Sequence, residues 1–228
     1  MEWLIEETSG ISPLAKDADA LSGRRYESSV REAEPASIAL RLNDVFVHDT
    51  KKWFGAADLR LDAIVVNGAS ASDTAGFYHP STFRFADVHD AERLPIEDKG
   101  LVFFYGKPKH FLDLSIMLSR DRKDSEDLRE LVVKRLGSNE FQTASAALLG
   151  LAVAAPQAAA IAAAVGAAAT VGNFAAEVLR EVTGTTIGLY RASWLEHGDR
   201  FGIGRHPERG YYRQKGFEFW YEVLREEE

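Results

Sequence analysis

Carboxylates gather where a strand runs out. In His110 to Leu128, HFLDLSIMLSRDRKDSEDL, the residues Phe111, Leu112, Leu114, Ile116 and Leu118 keep nearly alternate positions, the period of a half-buried strand. Asp121, Asp124 and Asp127 follow its end. A hard divalent cation such as calcium takes about six to eight oxygens, several of them from carboxylates, and loops at a strand end can converge them at little packing cost. Asp49, in HDTKKWFGAADLRLDAIVV, and Asp58, which opens LRLDAIVV, are candidates from a second loop. The same acids also fit a plainer role, because Asp124 and Ser125 precede the helical pattern LRELVVKRL, where acids and Ser cap a helix and complement its dipole.

These two segments resemble the calcium-binding loops of C2 domains, β-sandwich modules that dock on phospholipid surfaces. The family's third loop carries an Asp at the strand end, a second two residues on and a third about eight residues after the first; those spacings fall on Ser119, Asp121 and Asp127, so Ser119 replaces the first acid and Asp124 is an auxiliary ligand. The first loop would supply Asp49 and Asp58, at a slightly longer spacing than usual and without the small aromatic signature that normally follows. The resemblance covers roughly residues 36 to 128 and the final strand. It implies an antiparallel sandwich, a calcium ion held by Asp49, Asp58, Asp121, Asp124 and Asp127, and a lipid-facing or anion-contacting tip made by Lys51, Lys52, Trp53, Arg120, Arg122 and Lys123. Bound calcium would offset the acids and leave that tip basic, as attraction to an anionic membrane surface requires. Salt bridging on a solvated loop is the alternative.

No enzyme motif accompanies these residues. There is no P-loop, no G-x-G-x-x-G after a strand, no G-x-S-x-G and no H-E-x-x-H. His197, Asp199 and His206 could share a metal, and Asp87, Asp90 or Glu92 could form a hydrolytic pair, but both sets lie in turn-like segments where such residues are common.

The elements that must position this chemistry belong to an ordinary globular chain. Its 228 residues suit one large domain or one with a substantial insertion, with 46% hydrophobic and 27% charged residues. A net charge of −8 argues against nucleic acid as a partner. The absence of cysteine excludes disulfides and thiolate sites, and the N-terminus shows no signal peptide pattern, so a cytoplasmic protein with peripheral membrane association is expected.

Residues 1 to 35 are polar and irregular, an N-terminal arm that Trp3, Leu4 and Ile5 could tack onto the body. From Ile38 strand patterns follow one another: SIALRLNDVFVHDT, LRLDAIVVNG, FYHPSTFRFADV, then LVFFY and HFLDLSIML joined by GKPK as a hairpin. Helical patterns occupy about 124–184. From Phe141 to Ala176 there is no charged residue and Ala dominates; Pro156 divides the stretch into two helices, a hairpin whose small residues allow close packing. Strand patterns return in TTIGLYRASW, FGIGRHP and FEFWYEVL. The expected fold is therefore α+β: residues 36–228 as one antiparallel C2-like sandwich with an inserted Ala-rich helical hairpin.

The function this implies is a non-enzymatic, calcium-responsive module for a phospholipid surface or a protein partner, with 141–176 as a packing element, a homo-oligomer interface or a membrane contact. A metal-dependent hydrolase acting through the Asp cluster is one alternative. A structural or interaction domain without metal is the other.

Overall fold

The structure is a computed structural model describing residues 37–68, 77–123, 125–135, 138–139, 142–143, 146, 157–182 and 185–226. Strands β1 (Ile38–Val47), β2 (Ala57–Asn67), β3 (Tyr78–Val88), β4 (Glu92–Arg93), β5 (Leu101–Gly106) and β6 (Phe111–Arg120) precede helices α1 (Leu128–Arg135) and α2 (Gln157–Val182). Strands β7 (Thr186–Leu195), β8 (Gly204–His206), β9 (Tyr212–Arg213) and β10 (Phe217–Arg225) follow. They form two sheets with antiparallel pairing throughout. One has the order β3-β2-β6-β7; in the other β1 lies between β10 and β5, with β4, β8 and β9 at the margins. Strands from both sides of the helical segment pair directly, β7 with β6 and β10 with β1.

Alternation decides which residues meet. Leu59, Leu61, Ala63 and Val65 of β2, with Leu112, Leu114, Ile116 and Leu118 of β6, face the other sheet, where Leu40, Leu42, Val45, Phe219 and Tyr221 complete the sandwich core. The opposite face of β2 and β6, with Ile64, Val66, Phe111 and Met117, is covered by α1 and α2 through Leu128, Leu131, Val171, Phe174 and Leu179. The molecule is thus an α+β sandwich of three layers: sheet, sheet, helices.

Three expectations are corrected. The strand 111–120 is buried on both faces rather than half-buried, because the helices cover the face that carries Asp113, Ser115 and Ser119. LVFFY and HFLDLSIML do not form a hairpin: β5 pairs with β1 and β6 with β2 and β7, so the GKPK connection crosses between sheets. A strand apolar on one face and polar but covered on the other belongs in the middle of the sheet beneath the helices, which is where β6 lies. The helix after the acid cluster begins at Leu128, and its cap is Asp127 rather than Asp124 or Ser125; the Asp127 carboxylate accepts the Arg129 and Glu130 amides at 2.9 and 3.2 Å. α2 occupies the segment expected to form the second helix of the hairpin. The first arm lies mostly outside the described residues.

Polar groups sealed beneath the helices register the layers. Register places Arg191 opposite Ser115, and Ser193 opposite Asp113. Arg191 reaches the fully buried Asp113 with Nε and Nη2 at 3.1 and 3.0 Å, and its guanidinium continues to the Ala168 carbonyl at 2.7 Å and the Asn173 side-chain oxygen at 2.9 Å. Ser193 donates to the same carboxylate. Gly172 makes room for this: a Cβ there would stand 1.9 Å from Arg191 Nη2. Burial pushes the Asp113 carboxyl above its usual range, against the Arg191 charge and the hydrogen bonds of Ser193 and Arg191. On the adjacent strand β2, Arg60 and Asp62 are both fully buried with Nε and Oδ2 2.7 Å apart, but without hydrogen-bond alignment. Thr82 donates to Asp62 at 2.5 Å, and Arg60 donates to the Glu126 carbonyl at 2.7 Å, tying the approach to α1 to the sheet. Burial likewise raises the Asp62 carboxyl, opposed by the Thr82 hydrogen bond and by Arg60.

Candidate functional site

The two loops singled out by their acids meet at one end of the sandwich. The first, residues 48–56, carries the chain from β1 in one sheet to β2 in the other; the second follows β6. Asp121 donates its amide to the Asp58 carbonyl at 2.8 Å, and Arg120 Nη1 reaches the Lys51 carbonyl at 3.4 Å, so the second loop lies against both ends of the first.

The 48–56 loop is braced at its base. His48 and Asp49 both donate their amides to the Gly216 carbonyl, at 2.8 and 3.2 Å. Thr50, fully buried, donates its amide and its hydroxyl to the Asp90 carboxylate at 2.7 and 2.8 Å. Asp49 accepts the Lys51 amide at 2.7 Å and Lys51 Nζ at 3.0 Å; the Lys51 hydrogen bonds hold this carboxyl below its usual range. The backbone turns through positive φ at Lys51 and at Gly55, 60° and 73°, and the second is a conformation Gly adopts without steric cost. Lys52 closes the turn by donating to the Ala56 carbonyl.

At the tip stand two aromatic side chains in water. Trp53 is 92% exposed and Phe54 84%, their rings edge to face with centroids 6.4 Å apart. The rest of the loop's hydrogen bonding holds the backbone that carries them, and no described residue packs over them. Lys52, Arg122 and Lys123 are exposed at the same end, and Arg120 is half-buried behind the tip.

The described acids are engaged by separate partners. Among the described residues no three His, Asp or Glu side chains converge on a point that could hold a metal. Asp49 is engaged by Lys51; Asp121 accepts Arg84 Nε at 3.1 Å; Asp58 accepts the Asp87 amide at 3.1 Å; Asp127 caps α1. Ser119, at the position of the missing first acid, is fully buried inside β6 and donates to the Arg60 carbonyl at 3.4 Å. Asp124 lies outside the described residues. His197, Asp199 and His206 are not gathered either: Asp199 accepts the Leu195 amide at 3.1 Å, and His206 stacks on Tyr221 with centroids 5.1 Å apart. Of the acids weighed for hydrolysis, Asp90 holds Thr50 and Glu92 accepts the His89 amide at 2.7 Å.

Phe54 and the Asp90 brace were not singled out from sequence. The signal for Phe54 was local: Trp-Phe followed by Gly, between two Lys and the next strand, breaks the alternation that would bury either ring. For Asp90 no local signal existed, since its partner is 40 residues away.

No protein-family model, curated protein or solved structure matches the chain.

Proposed function

We propose that this chain is a C2-like module that docks on an anionic phospholipid surface through the 48–56 loop. The observation that carries the proposal is the Trp53–Phe54 pair, held out on a braced loop beside Lys52 and Arg120. Trp is suited to the membrane interface, where its ring is apolar and its N–H stays wet. Burying two aromatic side chains yields about 3–6 kcal/mol. Each Lys or Arg close to an anionic leaflet adds about 1 kcal/mol. Set against the several kcal/mol lost in association, the sum supports weak, reversible and salt-sensitive docking. The net charge of −8 requires that the approach be oriented, tip first.

Calcium enters only as an optional bridge between loop acids and lipid phosphate. Because Asp49, Asp121 and Asp127 already have partners within the chain, the aromatic tip and its cations support docking without it. Flotation with phosphatidylcholine vesicles and with vesicles containing phosphatidylserine, each with calcium or chelator, tests this. Binding to the anionic vesicles, lost in Trp53→Ala/Phe54→Ala, is expected. Equal flotation of the intact chain and the double variant removes the proposal; strict dependence on calcium restores an ion to the site.

The helical layer fits the Ala-rich hairpin as a packing element. Arg135 Nε lies 2.9 Å from Glu181 Oε2, so the end of α1 is beside the end of α2, whereas α2 begins at Gln157, about 36 Å away at 1.5 Å per residue. The exposed Ala162, Val165, Gly166 and Ala169 mark the side of α2 left open for a packing partner. α2 is also apolar and long enough to cross a membrane by composition, with mean hydropathy 1.4 over Ile161–Val182, but half of that window is buried against the body. Light scattering decides between an intramolecular hairpin and a second copy: a monomer supports the first, a dimer the second.

A further inference from the structure

The helical layer leaves the sandwich and returns to it at one point. Strand β6 ends at Arg120 and β7 begins at Thr186, and the Arg120 amide donates to the Thr185 carbonyl at 3.0 Å. From there β6 and β7 pair directly with each other, so α1 and α2 can move without opening a strand pair. The point lies at the aromatic tip, because Arg120 also reaches the Lys51 carbonyl and the Asp121 amide donates to the Asp58 carbonyl.

What α2 covers is half polar. It lies over β6 and β7, where Phe111, Met117, Leu189 and Leu195 share one face with Asp113, Ser115, Arg191 and Ser193. Asp113 Oδ1 and Ser115 Oγ are buried there without a hydrogen-bond partner among the described residues. Docking the helix therefore costs the hydration of a carboxyl, a guanidinium and a hydroxyl, which water restores when α2 lifts. The outer side of α2 is apolar too, with Ala162, Val165, Gly166 and Ala169 exposed.

Polarity is graded along α2. Among the described residues it is the one helix long and apolar enough to cross a membrane. Gln157 to Ala176 holds no charge, whereas Glu177, Arg180 and Glu181 cluster at the end next to Thr185. The uncharged part is about 30 Å long at 1.5 Å per residue, the thickness of a hydrocarbon core. With the tip on a lipid surface, the charged end would lie among the headgroups. The sequence just before α2, Phe141 to Pro156, also has no charged side chain to oppose burial in lipid.

We infer that, once the 48–56 loop has docked, α2 swings off β6 and β7 about the Arg120–Thr185 point and its uncharged part enters the phospholipid bilayer. This rests on the lipid-docking reading of the tip and adds a second, salt-resistant step to it. The sandwich core between the two sheets stays intact, because α2 contributes nothing to it.

The test uses the full chain on vesicles containing phosphatidylserine, floated before and after a wash in about 1 M salt, which screens surface attraction. Part of the intact chain is expected to survive the wash. Val165→Lys/Ala169→Lys, exposed positions near the middle of the uncharged part, should dock at least as well before the wash, since added cations favour an anionic surface. After it, the retained fraction should fall by at least about tenfold, because Lys at the centre of a membrane helix is strongly disfavoured. Urea unfolding checks that the variant keeps its fold; were it less stable, the wash of the intact chain decides alone. Complete release of the intact chain by salt overturns the inference and leaves the tip reading standing. Equal retention of the Lys variant overturns it too, and an intact chain that never floats removes both.

Discussion

Two glycines of α2 should respond to the same substitution with opposite signs. A Cβ at Gly172 would stand 1.9 Å from Arg191 Nη2 and 2.1 Å from Cζ. A guanidinium can swing aside when it is free, but this one is held by Asp113, by the Ala168 carbonyl and by Asn173. Displacing it leaves the Asp113 carboxylate, fully buried, with Ser193 as its remaining donor. Stripping the partner from a buried ion pair costs about 3–5 kcal/mol. The gain in helix propensity from Gly to Ala returns about 1 kcal/mol, so Gly172→Ala should be destabilised by about 2–4 kcal/mol. A helix that shifted outward to keep the pair would instead loosen the packing of Val171 and Ala175, so that route also costs stability. At Gly166 nothing lies within 4 Å of a Cβ and the residue is exposed, so Gly166→Ala should gain up to about 1 kcal/mol. Urea unfolding followed by circular dichroism, with unchanged m-values as a check on the two-state assumption, measures both. A Gly172→Ala variant as stable as Gly166→Ala would refute the claim that Arg191 is pinned across the helix.

Other outcomes follow from the same contacts. Because the folded carboxyl of Asp113 titrates above its ordinary value of 3.8, its protonated form is the one the fold favours; the stability it contributes is present in acid and is lost as pH rises through the raised value. The stability difference between the intact chain and Asp113→Asn, measured by urea unfolding between about pH 4 and pH 8, should therefore shrink as pH rises; a difference that grows would reverse the sign. Asp90→Ala leaves two Thr50 donors without their acceptor at a cost of about 1–3 kcal/mol, and should speed hydrogen exchange in 48–56 and weaken vesicle binding while β6 stays protected; an unaltered loop would show that Gly216 alone braces it. Asp127→Ala should lose about 1 kcal/mol of thermal or urea stability and Asp127→Asn much less, since Asn also caps. Equal losses in both would point to a charge-dependent role for Asp127.

Much of the fold was legible locally. Period-two alternation from Ile38 to Arg120 and from Thr186 to Arg225 marks strands because the side chains of a pleated strand point to opposite faces in turn, and that geometry needs no partner. The uncharged run ending in α2 marks a helix shielded from water for the same local reason. The Asp-rich loops were legible too, and they do meet at one end. What they make there was not, because whether carboxylates converge or pair with Lys51, Arg84 and the α1 amides depends on angles set by strands distant in sequence. The same limit hid the sheet assignment of β5 and β6, adjacent in the chain yet in different sheets. Most of all it hid the second face of β6: Asp113 and Ser115 alternate with leucines as they would on a solvated strand. Only the docking of α2, with Arg191 crossing at Gly172, turns that polar row into a buried one. Alternation along a chain records that two faces differ; what covers each is decided by the elements that pack there.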